Sequence, residues 1–232
     1  MMQTPMSFKQ FCAELNGNRV ECELIKTMLY SLLASAAILV LLYFFSFRFE
    51  EDFMAKKGFF LFFAAVSYAL LVPTIRQVRA YKEFPCMTGM MLGMTTGMVA
   101  GFLSGFYVGA TNGMFYGSVF GMIVGIVFGI WIGKCCGVMG FMEGIMAGFM
   151  GGVMGAMTAV MLLNDHLSIA TGIIFFVCTL ILISLNYLIY YEMKETERQI
   201  QEDHFLTIIL TCVLIFATTW IMVWGPRSGL FG

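Results

Sequence analysis

The chain has 232 residues, of which 60% are hydrophobic and only 12% are charged, and its mean hydropathy is +0.88. Soluble domains average about 45–50% apolar and about 25% charged residues, so this composition excludes a soluble enzyme and a disordered tail. With 13 basic and 14 acidic side chains, the net charge is −1 and no polybasic patch recruits nucleic acid. The sequence predicts an integral membrane protein whose main partner is the lipid bilayer.

Long uncharged runs recur along most of the chain. A helix needs about 20 apolar residues to cross a hydrocarbon core of about 30 Å. Seven runs approach or exceed this length, and the second is short because Pro73 should kink or end it. The predicted spans are residues 27–47, 58–75, 87–110, 113–133, 137–163, 167–191 and 205–224. The expected fold class is therefore an all-α membrane protein with about seven transmembrane helices.

Basic residues in the connecting segments predict the orientation of the chain. The N-terminal segment and the loops after the second, fourth and sixth spans hold nine of the 13 Lys and Arg residues. Because such residues concentrate on the cytoplasmic side, we expect the N-terminus inside and the C-terminus outside a cytoplasmic-type membrane. The predicted organisation is a cytoplasmic segment at 1–26, one transmembrane domain at 27–224 and a short tail at 225–232.

Glycine recurs at every fourth position through the third and fourth spans and continues into the fifth. Small residues at this spacing let helix backbones approach closely. On a helix of 3.6 residues per turn a four-residue period drifts by about 40° per step, so the glycines of one span face more than one partner. We expect residues 86–163 to form a central three-helix core packed as a GxxxG glycine zipper, or alternatively helices that slide as a gate. The predicted packing residues are Gly89, Gly93, Gly97, Gly101, Gly105, Gly109, Gly113, Gly117, Gly121, Gly125, Gly129, Gly133, Gly137, Gly144, Gly148 and Gly152.

Methionine follows the helical period along the fifth span, on the side opposite the glycines. The mean spacing is about 3.67 residues, so these side chains form one continuous stripe. The third span carries a shorter version of the same pattern. The stripe and its neighbours supply these candidate metal ligands: Met139, Met142, Met146, Met150, Met154, Met157, Met161, Cys135, Cys136, Glu143, Met90, Met94, Met98 and Cys86.

Thioether and thiolate sulfurs are soft ligands that suit Cu(I). Glu143 lies inside a predicted span, where an intramembrane carboxylate indicates a functional site with a cation or a proton as its counterpart. The alternative is a position near the inner surface, where the side chain snorkels to the interface or pairs with Lys134. The sequence therefore favours passage, delivery or buffering of Cu(I) along a Met and Cys face, with Cu(I) as the only expected cofactor.

The MxxxM spacing of Met90 with Met94 and of Met146 with Met150, together with the glycine repeat, resembles the Ctr copper-uptake family. The resemblance covers about a third of the chain and implies copper transport. The resemblance would imply a trimer of three-span chains, and the seven spans predicted here depart from that pattern.

A structural role explains the same methionines, because a flexible apolar side chain fills the gaps beside small residues. The alternative function is thus a non-catalytic accessory subunit that packs through its glycines, as a homo-oligomer or with other membrane subunits. Enzyme motifs and phosphate-binding loops are absent from the sequence. We expect no catalysis, no haem, no nucleotide and no nucleic-acid partner.

Overall fold

The computed structural model describes residues 20–45, 51–79, 81, 84–134, 137–193 and 204–226. Within these ranges the chain forms α-helices and no β-strand. Six of the helices are long and apolar enough to cross a membrane, whereas the described apolar stretch of the first is the shorter Lys26–Leu41. The chain therefore has the all-helical architecture of an integral membrane protein, and a crossing by the first helix stays a prediction. The helices are α1 (Val20–Phe45), α2 (Glu51–Arg79), α3 (Cys86–Asn112), α4 (Met114–Gly133), α5 (Gly137–Met161), α6 (Leu167–Met193) and α7 (His204–Trp224).

Short connections make consecutive helices run in opposite directions. Gly113 alone joins α3 to α4, and its φ of 107° is a backbone conformation that glycine adopts at little cost. The end of the bundle where α2, α4 and α6 finish, with Arg79 and Lys134, is called here the basic end. The end that holds Gly113 is called the opposite end.

The second helix is longer than the sequence predicted. α2 passes through Pro73 and ends at Arg79, so the expectation of a span ending near residue 75 is wrong. Proline removes a backbone donor, but membrane helices tolerate this where hydroxyl side chains and neighbouring helices satisfy the freed groups. Thr74 follows the proline, and its Oγ1 donates a hydrogen bond to the carbonyl oxygen of Leu70 at 3.3 Å, one residue after the Ala69 carbonyl that loses its helical donor.

The most extensive contacts between helices are those among α3, α4 and α5. At successive levels of this core one small residue from each helix approaches the other two. A Cβ atom on Gly121 would lie 2.7 Å from Cα of Gly105 and 2.8 Å from Cα of Gly152. Such distances are shorter than real Cβ contacts, so these three backbones leave no room for a side chain. Equivalent levels are formed by Gly97 with Gly129 and Gly144, and by Gly101 with Gly125 and Gly148.

The contacts of the α3 glycines change partner along the helix. The atoms nearest to a Cβ on Gly93 belong to Gly133 and Gly129 of α4, whereas those nearest to a Cβ on Gly109 belong to Ala156 of α5. This change is what the angular drift of a four-residue period produces. Each helix of the group therefore contacts both of its neighbours.

Two glycines of the repeat lie at helix ends instead of between helices. Gly113 forms the turn described above, and its N–H donates to the carbonyl oxygen of Gly109 at 3.2 Å. Gly137 begins α5 with a φ of 69°, and a Cβ atom there would meet nothing within 4 Å. The backbone conformation, not close packing, accounts for glycine at these two positions.

The remaining helices surround α2 on one side of the three-helix core. α2 contacts α1, α6 and α7 as well as α3, and it is the most buried of the six long apolar helices. At the opposite end, Nδ2 of the fully buried Asn112 donates to the carbonyl oxygen of Ile221 at 2.7 Å. This hydrogen bond joins the α3–α4 turn to the last turn of α7.

Candidate functional site

The seven methionines of α5 lie on the surface of the molecule. Their side chains are between 41% and 69% exposed, and together they form what is called here the methionine face of α5. The buried side of the same helix consists only of glycine and alanine. One side of α5 therefore packs against the backbones of α3 and α4. Its other side makes few contacts with the rest of the described chain. The face comprises Met139, Met142, Met146, Met150, Met154, Met157 and Met161.

The methionines of α3 lie towards the basic end of that helix. Met87, Met91 and Met94 are exposed, whereas Met90 and Met98 are half-buried. Gly97 packs against Gly144 in a parallel pair of helices, so residues just before them lie at matching depths. The exposed sulfurs of α3 are thus at the level of the first two turns of α5.

Few other donors accompany the thioethers. Glu143 is half-buried and Cys86 is exposed, whereas Cys135 and Cys136 lie outside the described residues. Nowhere in the described part of the chain do three or more His, Cys, Asp or Glu side chains gather closely enough to hold a metal ion. A metal bound at the methionine face would therefore depend on thioether sulfur.

The spacing of the face limits what a single chain can coordinate. Side chains four residues apart on a helix have Cβ atoms about 5–6 Å apart, so Met146 and Met150 can offer two sulfurs to one ion. Further ligands would have to come from Glu143 or from a second molecule. One helix face on the outside of a monomer cannot enclose an ion.

The polar turn between α5 and α6 is open to solvent. His166 Nδ1 and Asp165 Oδ1 lie 3.0 Å apart, and their side chains are 80% and 79% exposed. This exposed pair matches a simple polar turn. The turn lies beyond the last methionine of α5 and adds no buried donor to the face.

A second group of functional candidates surrounds α2, and sequence reasoning missed most of it. Arg76 is 8% exposed and its Nη1 donates to Thr27 Oγ1 at 3.0 Å. The Ser67 and Tyr107 hydroxyls form a buried hydrogen bond of 2.8 Å. The signal that could have found the α1 part of this group is the four-residue spacing of Thr27, Ser31 and Ser35, all of which are buried.

An apolar pocket of about 310 Å³ lies at the opposite end between α4 and α7. Tyr116 and Phe120 line one side of it and Trp220 and Trp224 the other. The two indole rings stack with centroids 5.9 Å apart. The lining offers no cluster of titratable groups, so this pocket has the chemistry of a surface for apolar chains and not of a catalytic centre.

Comparison with protein-family models, curated proteins and solved structures finds no match to this chain.

Proposed function

We propose that the protein is a non-catalytic subunit of a membrane assembly, in which a glycine-zipper core presents the methionine face of α5 to another copy of the chain. The observation that carries this proposal is the contrast between the two sides of α5. One side is buried with only Gly and Ala, while the other exposes seven methionines along the whole helix. Because one side of α5 packs at backbone distance, the backbone that carries the methionines on its other side is held in place, while their side chains stay free to adapt.

The composition of the face supports contact with protein. The exposed side of α6, which is the least buried of the six long helices, consists of branched and aromatic side chains such as Ile169, Ile173 and Phe176. The exposed side of α5 carries seven unbranched methionines, together with Val138, Phe141 and Phe149. Because membrane helices associate through van der Waals packing, a flexible and polarizable side chain that adapts to a partner suits an assembly surface.

Cu(I) handling is the second candidate function, and the exposure of the sulfurs favours it. None of the seven methionine side chains of α5 is buried inside the described core. In a pair of copies that face each other through α5, Met146 and Met150 of both chains would supply four soft ligands, and Glu143 a nearby negative charge. Copper handling in this form depends on the assembly, whereas the assembly does not depend on copper.

Cross-linking tests the assembly surface directly. We expect Met150→Cys, at a side chain that is 53% exposed, to give covalent dimers with a short bis-maleimide in native membranes. The matched control is Ile173→Cys on α6, where the side chain is 60% exposed. The unsubstituted chain gives the background from native cysteines such as the exposed Cys86.

The expected result is a dimer yield at least fivefold higher for Met150→Cys than for Ile173→Cys, because only the α5 face lies in the contact between copies. Equal yields from the two variants, or no dimer above background from either, would contradict the proposal.

A further inference from the structure

Buried polar atoms without partners lie on α2 and on α6 near the basic end. Gln77 is 4% exposed and Asn186 is 8% exposed. Among the described residues, neither Oε1 nor Nε2 of Gln77 has a hydrogen-bond partner, and the same holds for Oδ1 of Asn186. Two carboxamide oxygens and one amide NH₂ group are therefore removed from bulk solvent with their hydrogen-bonding capacity unused.

These atoms belong to one small region of the fold. Asn186 Nδ2 donates to Thr74 Oγ1 at 3.3 Å, and Thr74 and Gln77 are three residues apart and hence neighbours on the surface of α2. Pro73 has no N–H, so the carbonyl of Ala69 loses its helical donor. Because Ala69, Pro73 and Gln77 follow one another at four-residue spacing, that carbonyl is on the side of α2 that carries Gln77.

The chemistry of the region identifies its ligand class. The unpaired groups are neutral, and they both accept and donate hydrogen bonds. Leaving such groups unpaired in a membrane interior is costly. Water is the smallest molecule that satisfies donors and acceptors together, and a buried water typically makes about three hydrogen bonds to otherwise unpaired groups.

We propose that Gln77, Thr74 and Asn186 line a hydrated crevice between α2 and α6, which binds water and, by the same chemistry, other small uncharged hydrogen-bonding molecules. At about 1.5 Å per residue, Gln77 lies about 3 Å from the end of α2 at Arg79, and Asn186 about 10 Å from the end of α6 at Met193. The basic end is therefore the nearer end of the bundle, and the proposal places the mouth of the crevice there.

The hydrogen-bonded pair of Ser67 and Tyr107 marks the closed end of the crevice. Ser67 is 2% exposed, and its hydroxyl already donates to the carbonyl oxygen of Phe63 at 2.7 Å. Tyr107 therefore donates to Ser67 in their 2.8 Å contact. With its hydroxyl satisfied in this way, Ser67 offers no unused donor that would draw water further into the bundle. This site is separate from the methionine face and does not rest on the proposed assembly.

Thiol labelling of matched variants tests the crevice. Thr74→Cys and Ser67→Cys both replace a hydroxyl with a thiol on α2, at side chains that are 0% and 2% exposed. The probe is 2-hydroxyethyl methanethiosulfonate, which is small, uncharged and water-soluble. Because a thiol reacts as its thiolate, which needs water, we expect Thr74→Cys to react at least tenfold faster than Ser67→Cys. Peptide mass spectrometry measures the labelling of each cysteine separately, so the native cysteines can remain in the protein.

A second variant tests the role of Gln77. Adding Gln77→Leu to Thr74→Cys removes the polar wall nearest the basic end, and we expect labelling to slow at least threefold. Equal labelling rates at Thr74→Cys and Ser67→Cys would overturn the proposal of a hydrated crevice. An unchanged labelling rate after Gln77→Leu would overturn the proposal that Gln77 lines it. The buried native Cys178 reports on folding, since it should stay unlabelled. If Cys178 becomes labelled in the Thr74→Cys variant, Asn186→Cys on α6 replaces it. Its labelling rate is then compared with that of Ser67→Cys.

Discussion

Gly125→Leu should prevent the three-helix core from forming, and Gly125→Ala should lower its stability measurably. A Cβ atom on Gly125 would lie 2.8 Å from Cα of Gly148 and 2.9 Å from Cα of Gly101. Both neighbours are backbone atoms, so no side chain can turn aside to make room. Overpacking typically costs about 1–3 kcal/mol, and for a chain of this size each kcal/mol shifts Tm by roughly 2–4 °C. Thermal unfolding in detergent measures the effect.

Gly172→Ala is the matched control for this prediction. Gly172 also lies inside a long helix, α6, but a Cβ atom there would meet nothing within 4 Å. Alanine is about 0.8–1.0 kcal/mol more favourable than glycine in a helix interior, so Tm should stay the same or rise slightly. A similar loss of stability in Gly125→Ala and Gly172→Ala would mean that close packing is not the reason for the glycine repeat.

Replacing Met146, Met150 and Met154 together by Leu should abolish Cu(I) binding if copper is handled at the methionine face. The exchange keeps volume and hydrophobicity but removes the soft donors. Swaps of this kind usually cost less than about 1.5 kcal/mol each, so the protein should still fold. We expect bound Cu(I) per chain, measured under reducing conditions, to fall at least tenfold. Glu143→Gln should weaken binding in the otherwise unchanged chain, because it removes the negative charge beside the sulfurs.

Met114→Leu is the control for the loss of sulfur alone. Met114 is 44% exposed but begins α4 at the opposite end, away from the Met146–Met154 positions. Its replacement should leave bound Cu(I) unchanged. Equal copper in the triple variant and the unsubstituted chain, or no copper in either, would reject copper handling. The assembly role does not depend on that result, because cross-linking and native mass spectrometry test it separately.

The helices were predictable because their signals are local. Uninterrupted apolar runs indicated the positions of the helices. The glycine period indicated which helices have a side of small residues that can pack closely. α2 is the exception, since Pro73 was interpreted as its end. Within the bundle α2 is also held by tertiary contacts near the proline, such as the hydrogen bond from Asn186 Nδ2 to Thr74 Oγ1, and a local sequence pattern does not show such contacts.

The environment of the methionine face could not be predicted from its periodicity. A helical period shows that Met146, Met150 and Met154 share one side of α5, but it does not show what that side contacts. The structure leaves them about half or more exposed. The buried polar groups on α2 itself were missed for a related reason, because single Ser, Thr and Gln residues inside an apolar run carry no local signal of what they contact.

The central claim is that copies of this chain assemble through the methionine face of α5. Native mass spectrometry of the protein released from lipid nanodiscs measures this most directly, because one chain has a mass of 25.9 kDa. We predict a mass that is an integral multiple of this value, and a shift towards the single-chain mass when Met150→Glu places a charge in the contact between copies. A single-chain mass for the unsubstituted protein, or a multimer that Met150→Glu leaves intact, would contradict the claim.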